Sequence, residues 1–390
     1  MAQESKSKVL IAGAGPAGCI CAYYLQNDFD VTVIDKKSPL LTLLPTGGGR
    51  CNLAHSEYDF RELAKNYPRG EKFLYSVFSR FSTSDTVEFF ENIGVDTYTQ
   101  YDGRIFPVSN SSKDVKEKFL NALKKVKFKK EEVLRINKAD SGFKVVTDMN
   151  CYGADFVVIA TGGHASFELV RLLGHKITDL KPALTGLKTK YLIHPMGEDG
   201  GEWADGFPEL SGISIGGILF THKGISGPEV YRISSLKARD NFPYRLVFDF
   251  CDFKDLQPIL NDNPHKSIKN LLGEFLPKSF VEYVLKGLDI DIDSKCHTLD
   301  GKTRDRIIRA FSKFEVEVTG AVPDGEVVMS GGVDLREVSP KTLESKLVEG
   351  IYFCGEVLDI DGFCGGFNLQ NCWSTGFVVA EGIKSRYFIH

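Results

Sequence analysis

Gly13, Gly15 and Gly18 stand at the spacing GxGxxG in the run "KVLIAGAGPAGCICAYYLQNDFDVTVIDKK", and Asp35 lies near the end of that run. Bare backbone at this spacing can lie against a pyrophosphate, and a carboxylate about 20 residues further on can accept hydrogen bonds from a ribose. Gly13 permits a tight turn, Gly15 lets phosphates approach, and Gly18 lets a helix pack closely on a strand. Ala14, Pro16 and Ala17 fill the remaining places of the turn, and Lys36 follows the acid. The elements that must position these groups are a strand over Val9 to Ala12, a helix from Ala17 to about Gln26, and a second strand over Val31 to Ile34. Such a βαβ unit brings the phosphates to a helix N-terminus, whose free N–H groups and dipole favour an anion. NAD and FAD are both compatible with it.

Three further bare stretches repeat the theme. "LPTGGGRCN" sets Thr46, Gly47, Gly48 and Gly49 before Arg50 and Cys51. "IATGG" places Ala160, Thr161 and Gly162 at the end of a β-rich run. The stretch "GIYFCGEVLDIDGFCGGFNLQNCWSTG" reads as a strand over Ile351 to Cys354, then Gly355 and Glu356, then a glycine pair feeding a helix from Phe367 to about Ile383. Gly366, Phe367, Asn368 and Leu369 open that helix. A second helix N-terminus far along the chain suits the other half of a long dinucleotide.

The gross numbers narrow the class. With 390 residues, 42% hydrophobic and 26% charged, the chain belongs among globular proteins of about two or three domains. A net charge of −4 gives no general attraction to nucleic acid or to a membrane surface, and neither is expected as a partner. Nine cysteines without a CxxC pair argue against a disulfide framework or a zinc site, and reduced thiols in a cytoplasm fit best. The apolar start resembles a secretory signal, but Gly13, Gly15, Pro16 and Gly18 interrupt it. The interval from about 133 to 161 reads as a β-meander returning to the sheet, with runs at Val133 to Asn137, Gly142 to Asp148 and Asp155 to Thr161. Glycine-punctuated β sequence follows from about Lys181 to Phe250, and amphipathic helix from Lys254 to Lys313.

Together, "GAGPAG", "TGGGRCN", "GRIFPVS", "IATGG", "PALTGL", "FTHKGISGP", "YFCGEVLDIDG" and "GGFNLQNCWSTG" resemble the BaiN/YhiN family of flavoproteins, which includes aminoacetone oxidase-like enzymes. The resemblance runs through the whole chain in order. It implies an α/β protein with a discontinuous Rossmann-like FAD-binding domain over 1–182 and 328–390. A β-barrel-like domain facing the flavin would span 183–252 and 314–327, with a helical subdomain inserted at 253–313. By position it gives Gly13, Gly15, Gly18 and Asp35 to the ADP half of FAD, and Thr46 to Cys51 to the pyrophosphate and flavin. Val133 would contact the adenine, Thr161 and Gly162 the nucleotide, Glu356 the ribityl chain, and Gly366 to Leu369 the isoalloxazine edge. Where family members carry Gly-Arg-Lys ahead of the triple glycine, this chain has Leu40, Leu41 and Thr42.

Cys51 has no partner cysteine, which argues against a flavin disulfide reductase, and no second GxGxxG supplies a separate NAD(P)H domain. Electrons would enter from the substrate or from NAD(P)H docking directly on the flavin. His222, in "FTHKGISGP", is the acid–base candidate because imidazole titrates in the useful range and the residue precedes a glycine-rich helix start. Asp359 and Asp361, in "LDIDG", read as turn formers. The expected activity is an FAD-dependent oxidoreductase that moves a hydride between the flavin and a small organic molecule, by amine oxidation or C=C reduction. The alternative is an electron-transfer or binding flavoprotein without its own substrate. Oligomeric state is not encoded in any motif.

Overall fold

The computed structural model describes residues 6–163, 167–192, 203–250, 256–322 and 328–389. The chain divides into two units, Met1–Lys181 with Val328–His390, and Pro182–Val327.

The first unit is built on a parallel sheet of β1 (Lys8–Ala12), β2 (Asp30–Ile34), β3 (Lys127–Lys129), β4 (Phe156–Ile159) and β5 (Ile351–Phe353), in the order β5-β4-β1-β2-β3. Val9, Leu10, Ile11 and Ala12 are all buried, as the unbroken apolar run of a central parallel strand requires. The helix that follows, Pro16–Leu25, is buried on almost every side. The signal-like apolar start is thus the middle of a core. A Cβ on Gly376 would stand 2.4 Å from Ile20 Cγ2 and 2.5 Å from the Ala17 carbonyl, so a glycine there lets the C-terminal helix, Phe367–Ile389, lie directly on the first one.

Element positions agree with the sequence reading at the first βαβ unit to within a residue. The first two expected runs form the antiparallel strands Val133–Lys138 and Phe143–Thr147, a third strand, Cys151–Ala154, lies where none was expected, and the chain then enters β4. β4 stops at Ile159, short of the expected Thr161, which frees Ala160 to Gly162 as a loop. The C-terminal helix runs on past the expected end at Ile383. Gly382 is no stop signal: its Cβ would meet the Thr342 carbonyl at 2.8 Å, so it serves close packing within the helix. A small antiparallel sheet of Ala54–His55, Arg104–Pro107 and Thr97–Thr99 completes this unit.

The second unit holds a seven-stranded antiparallel sheet in which Leu187–Leu192 and Phe314–Ala321 are central. Helices at Ile268–Leu272, Lys278–Gly287 and Gly301–Ser312 follow in the expected helical interval. Phe280, Val281, Val284 and Leu285 form one apolar stripe of the second of these, and the Phe280 ring stacks on Phe220 of the sheet at 5.5 Å. Helices and sheet therefore share one core. No helix among the described residues is long and apolar enough to cross a membrane.

Candidate functional site

The bare stretches of the first unit converge at the C-terminal ends of the parallel strands, where open α/β sheets bind ligands. A Cβ on Gly13, whose φ is +114°, would strike the Ala160 carbonyl at 2.2 Å, so the first turn and the "IATGG" loop are in contact. Gly18 meets Gly13 itself, at 2.0 Å from its carbonyl. Both glycines are demanded by protein backbone. Gly15 differs: the nearest atom to its Cβ would be Thr42 Oγ1 at 3.8 Å, and its φ of −76° suits any residue. Only something outside the chain gives that position a reason to stay bare.

Asp35 ends β2 with both carboxylate oxygens engaged by backbone amides, Oδ2 by Ala14 at 2.8 Å and Oδ1 by Lys37 at 2.8 Å. Each oxygen keeps a second lone pair for a ribose hydroxyl. Lys36 points away into an ion pair with Glu132 at 2.6 Å. Val133, beside it, is half-buried at the start of the meander. Leu40 is buried, and its amide donates to the Ala14 carbonyl at 2.8 Å, while Leu41 and Thr42 after it are exposed.

In the triple glycine the three positions are not equivalent. A Cβ on Gly47 would collide with the Asn52 nitrogen at 2.8 Å and with the Phe106 ring at 2.9 Å, so this position is kept bare by the protein itself. Gly48 and Gly49 have open space around them at φ of +67° and +85°. The Arg50 guanidinium lies over the Phe106 ring at 4.2 Å, an arrangement that holds the cation in place beside the loop. Thr46 donates to the Leu43 carbonyl, and Cys51 is fully buried, its thiol pushed up to about 12 by burial against a smaller opposing effect of Thr46. Cys51 is a packed thiol at neutral pH.

At the C-terminal end, a Cβ on Gly355 would stand 2.8 Å from Ala17 Cβ, and the Gly355 amide donates to Thr375 Oγ1 at 2.9 Å. Glu356 follows, half-buried in a single 3₁₀ turn. Gly366, at φ +101°, abuts the Ala54 carbonyl and Asn52 Oδ1. Phe367 is buried, its ring stacked on His55 at 4.8 Å and its carbonyl accepting from Tyr67 Oη at 2.6 Å. Asn368 does not serve as a simple cap. Its carboxamide brackets Gly362, accepting from the amide at 2.8 Å and donating to the carbonyl at 2.9 Å. Phe367, Asn368 and Leu369 lie in the helix's first turn, where N–H groups have no intrahelical acceptor, and that turn itself contains no acidic residue.

Several groups that hold this end in place escape a reading of the sequence. Asp361 is fully buried in a two-point ion pair with Arg69, beyond the turn role expected of it. Breaking such a pair from one side costs about 3–5 kcal/mol. Trp373 Nε1 donates to the Leu53 carbonyl at 2.9 Å, tying the C-terminal helix to the segment after "TGGGRCN". Buried polar atoms without a hydrogen-bond partner include Asn52 Oδ1, His55 Nδ1 and both amide atoms of Asn371. Orphaned polar atoms at the start of the C-terminal helix are what a polar ligand would satisfy, and Gly15, Gly48 and Gly49 leave open backbone in the same unit, so the residues present fit a dinucleotide cofactor. His222 lies in the second unit, exposed at the turn between strands Ile218–Thr221 and Gly224–Ser226, with the helix starting at Pro228.

The parallel sheet, its glycine turn and the second helix N-terminus define an FAD-dependent oxidoreductase of Rossmann type. The chain belongs to the HI0933-like family, whose Rossmann-domain model matches residues 7–382. It is 29% identical over 418 residues to a Clostridium scindens protein named 3-dehydro-bile acid delta(4,6)-reductase, covering 97% of this chain and 100% of that one. It is 29% identical over 402 residues to an Escherichia coli protein named ribosomal RNA dihydrouridine synthase, covering 95% of this chain and 96% of that one. Among solved structures, 3-ketosteroid delta1-dehydrogenase from Sterolibacterium denitrificans matches with a TM-score of 0.51 at 13% identity, over 98% of this chain and 100% of that one. That likeness is one of fold.

Proposed function

We propose that the chain reduces a carbon–carbon double bond conjugated to a carbonyl, with FAD as its bound cofactor. The observation that carries the cofactor part of the reading is the occurrence of an open Gly15, Gly48 and Gly49 and of a helix start at Phe367 without acidic residues in its first turn, all in one unit. The names of two relatives, a delta(4,6)-reductase and a dihydrouridine synthase, both denote saturation of a ring double bond, which supports reduction over amine oxidation. Hydride adds to an alkene that a carbonyl polarises, and this requirement is common to both substrates.

Bound FAD would supply the hydride. In this reading Gly13 to Gly18 and Asp35 bind the ADP half, Thr46 to Cys51 line the centre, and Glu356 faces the ribityl chain. Amides of Phe367 to Leu369 favour negative charge at the ring edge they face, which eases reduction of the cofactor. His222 is proposed to hold the proton that the substrate carbon receives. NAD(P)H is proposed as the electron donor. A net charge of −4 gives no general attraction to nucleic acid, yet a relative named for ribosomal RNA makes RNA a substrate class to test.

The experiment is to purify the protein with FAD, bleach it anaerobically with NADH or NADPH, and follow recolouring. Steroid-type dienones, ribosomal RNA containing uridine, and aminoacetone under air are the three probes. Recolouring by either unsaturated substrate is expected. Bleaching by amines together with inertness to every unsaturated compound would reverse the assignment. Unchanged recolouring in His222→Ala would remove His222 from the mechanism.

A further inference from the structure

Asn52 meets two stretches read as flavin contacts. Its backbone nitrogen and Cβ lie 2.8 and 3.3 Å from where a Cβ on Gly47 would stand, and its Oδ1 lies 2.9 Å from where one on Gly366 would stand. Both glycines are thus kept bare in part by Asn52, so the residue fixes how the triple-glycine loop sits against the start of the C-terminal helix. The residue is only 9% exposed, and Oδ1 has no hydrogen-bond donor among the described residues.

A buried acceptor left without a donor costs free energy, and burying an apolar side chain of the same size at that place would not. Packing alone therefore gives no reason for an amide at position 52. Its neighbours repeat the pattern: His55 Nδ1, whose ring stacks on Phe367, and both amide atoms of Asn371, one turn into the helix, are also unpartnered. Four orphaned atoms of three residues surround the helix start that Gly366 opens. The isoalloxazine offers the complement of a carboxamide, because its pyrimidine ring carries an N–H donor, N3–H, flanked by two carbonyl acceptors.

We propose that Asn52 is a flavin-ring contact whose carboxamide accepts from the N3–H of the isoalloxazine. The inference rests on the FAD reading above. In that role the residue sets the ring's position against the amides of Phe367 to Leu369, and its bond exists only when the cofactor is bound. Stability without FAD and affinity for FAD should then respond to substitution in opposite senses.

The test uses the full chain stripped of FAD and titrated with it. For Asn52→Leu, thermal unfolding of the FAD-free protein should occur at or above the wild-type temperature, while FAD affinity falls roughly tenfold. Asn52→Asp is nearly isosteric and keeps an acceptor, so it guards against a misfolded leucine variant. It should retain FAD, shift the flavin absorption bands, and lower the flavin midpoint potential, because its charge opposes the negative charge of reduced flavin. If Asn52→Leu binds FAD as tightly as wild type, or if Asn52→Asp leaves spectrum and potential unchanged, Asn52 does not touch the ring. A wild-type protein that takes up no FAD would instead sink the FAD reading, and this proposal with it.

Discussion

Asp35 Oδ2 accepts a hydrogen bond from the Ala14 amide at 2.8 Å, joining the end of β2 to the glycine turn after β1. The acid is therefore held in place by the turn after β1, and in the proposed reading its remaining lone pairs serve a ribose. Asp35→Ala should weaken FAD binding by roughly tenfold to a hundredfold, the loss of charge-assisted hydrogen bonds, measured by fluorescence quenching. An affinity equal to wild type would show that the carboxylate serves the turn alone.

Gly15 and Gly18 should separate binding from folding. A methyl group at Gly15 meets no protein atom closer than 3.8 Å, so FAD-free Gly15→Ala should unfold within ~0.5 kcal/mol of wild type in urea. The same variant should lose most of its FAD. Gly18→Ala puts a methyl 2.0 Å from the Gly13 carbonyl and should cost about 1–3 kcal/mol or more of stability. Equal destabilisation by the two would contradict the open space at Gly15.

His175 supplies a pH dependence away from the site. The neutral ring is held from both sides, Nδ1 at 3.0 Å from Glu337 and Nε2 at 2.8 Å from Ser345 Oγ. Ser345 Oγ already accepts from the Leu347 and Val348 amides, so its O–H donates to Nε2, and Nδ1–H donates to Glu337. Burial holds the imidazole below its ordinary 6.5, with Glu337 opposing. Because the unfolded chain takes up this proton first, stability is full above 6.5 and is lost as pH falls from there toward the depressed value. Urea midpoints should decline as pH falls below about 6.5, and His175→Gln should flatten that decline. A decline as steep in the variant would assign it to other groups.

Cys51, fully buried with its thiol pushed up to about 12, should stay unmodified when the native protein meets a thiol reagent at neutral pH. Among the described cysteines Cys151 and Cys364 are exposed, and Cys151 should take the label first because burial pushes the Cys364 thiol up. Peptide mapping after brief labelling decides this, and early modification of Cys51 would mean that the triple-glycine loop opens readily.

Much of the first unit is written locally. The first βαβ run carries its own strand pattern, glycine turn and terminal acid, so each element can be placed from its neighbours in sequence. Ala54–His55 and Thr97–Thr99 could not be placed this way, because strands of two or three residues have no period to detect. Gly15 and Gly47 look alike in the sequence, yet one is bare toward open space and the other toward Asn52 and Phe106. Asp361 read as a turn former because its partner, Arg69, is remote in the chain. Asn52 lies inside a motif legible from the start, but an unpartnered buried oxygen is a property of the assembled fold.

β4 pairs with β5 in register from Val157 with Ile351 to Ile159 with Phe353, and the whole of the second unit is encoded between them. As the chain leaves the ribosome, β4 can join β1 early, but its outer edge has no partner until the second unit has been made. That edge is a row of unpaired amides and carbonyls on a Val-Val-Ile strand, open to pairing with another nascent chain. The interval between the two strands is thus an aggregation window set by gene order. Faster translation of the inserted unit, or its independent early collapse, would shorten it.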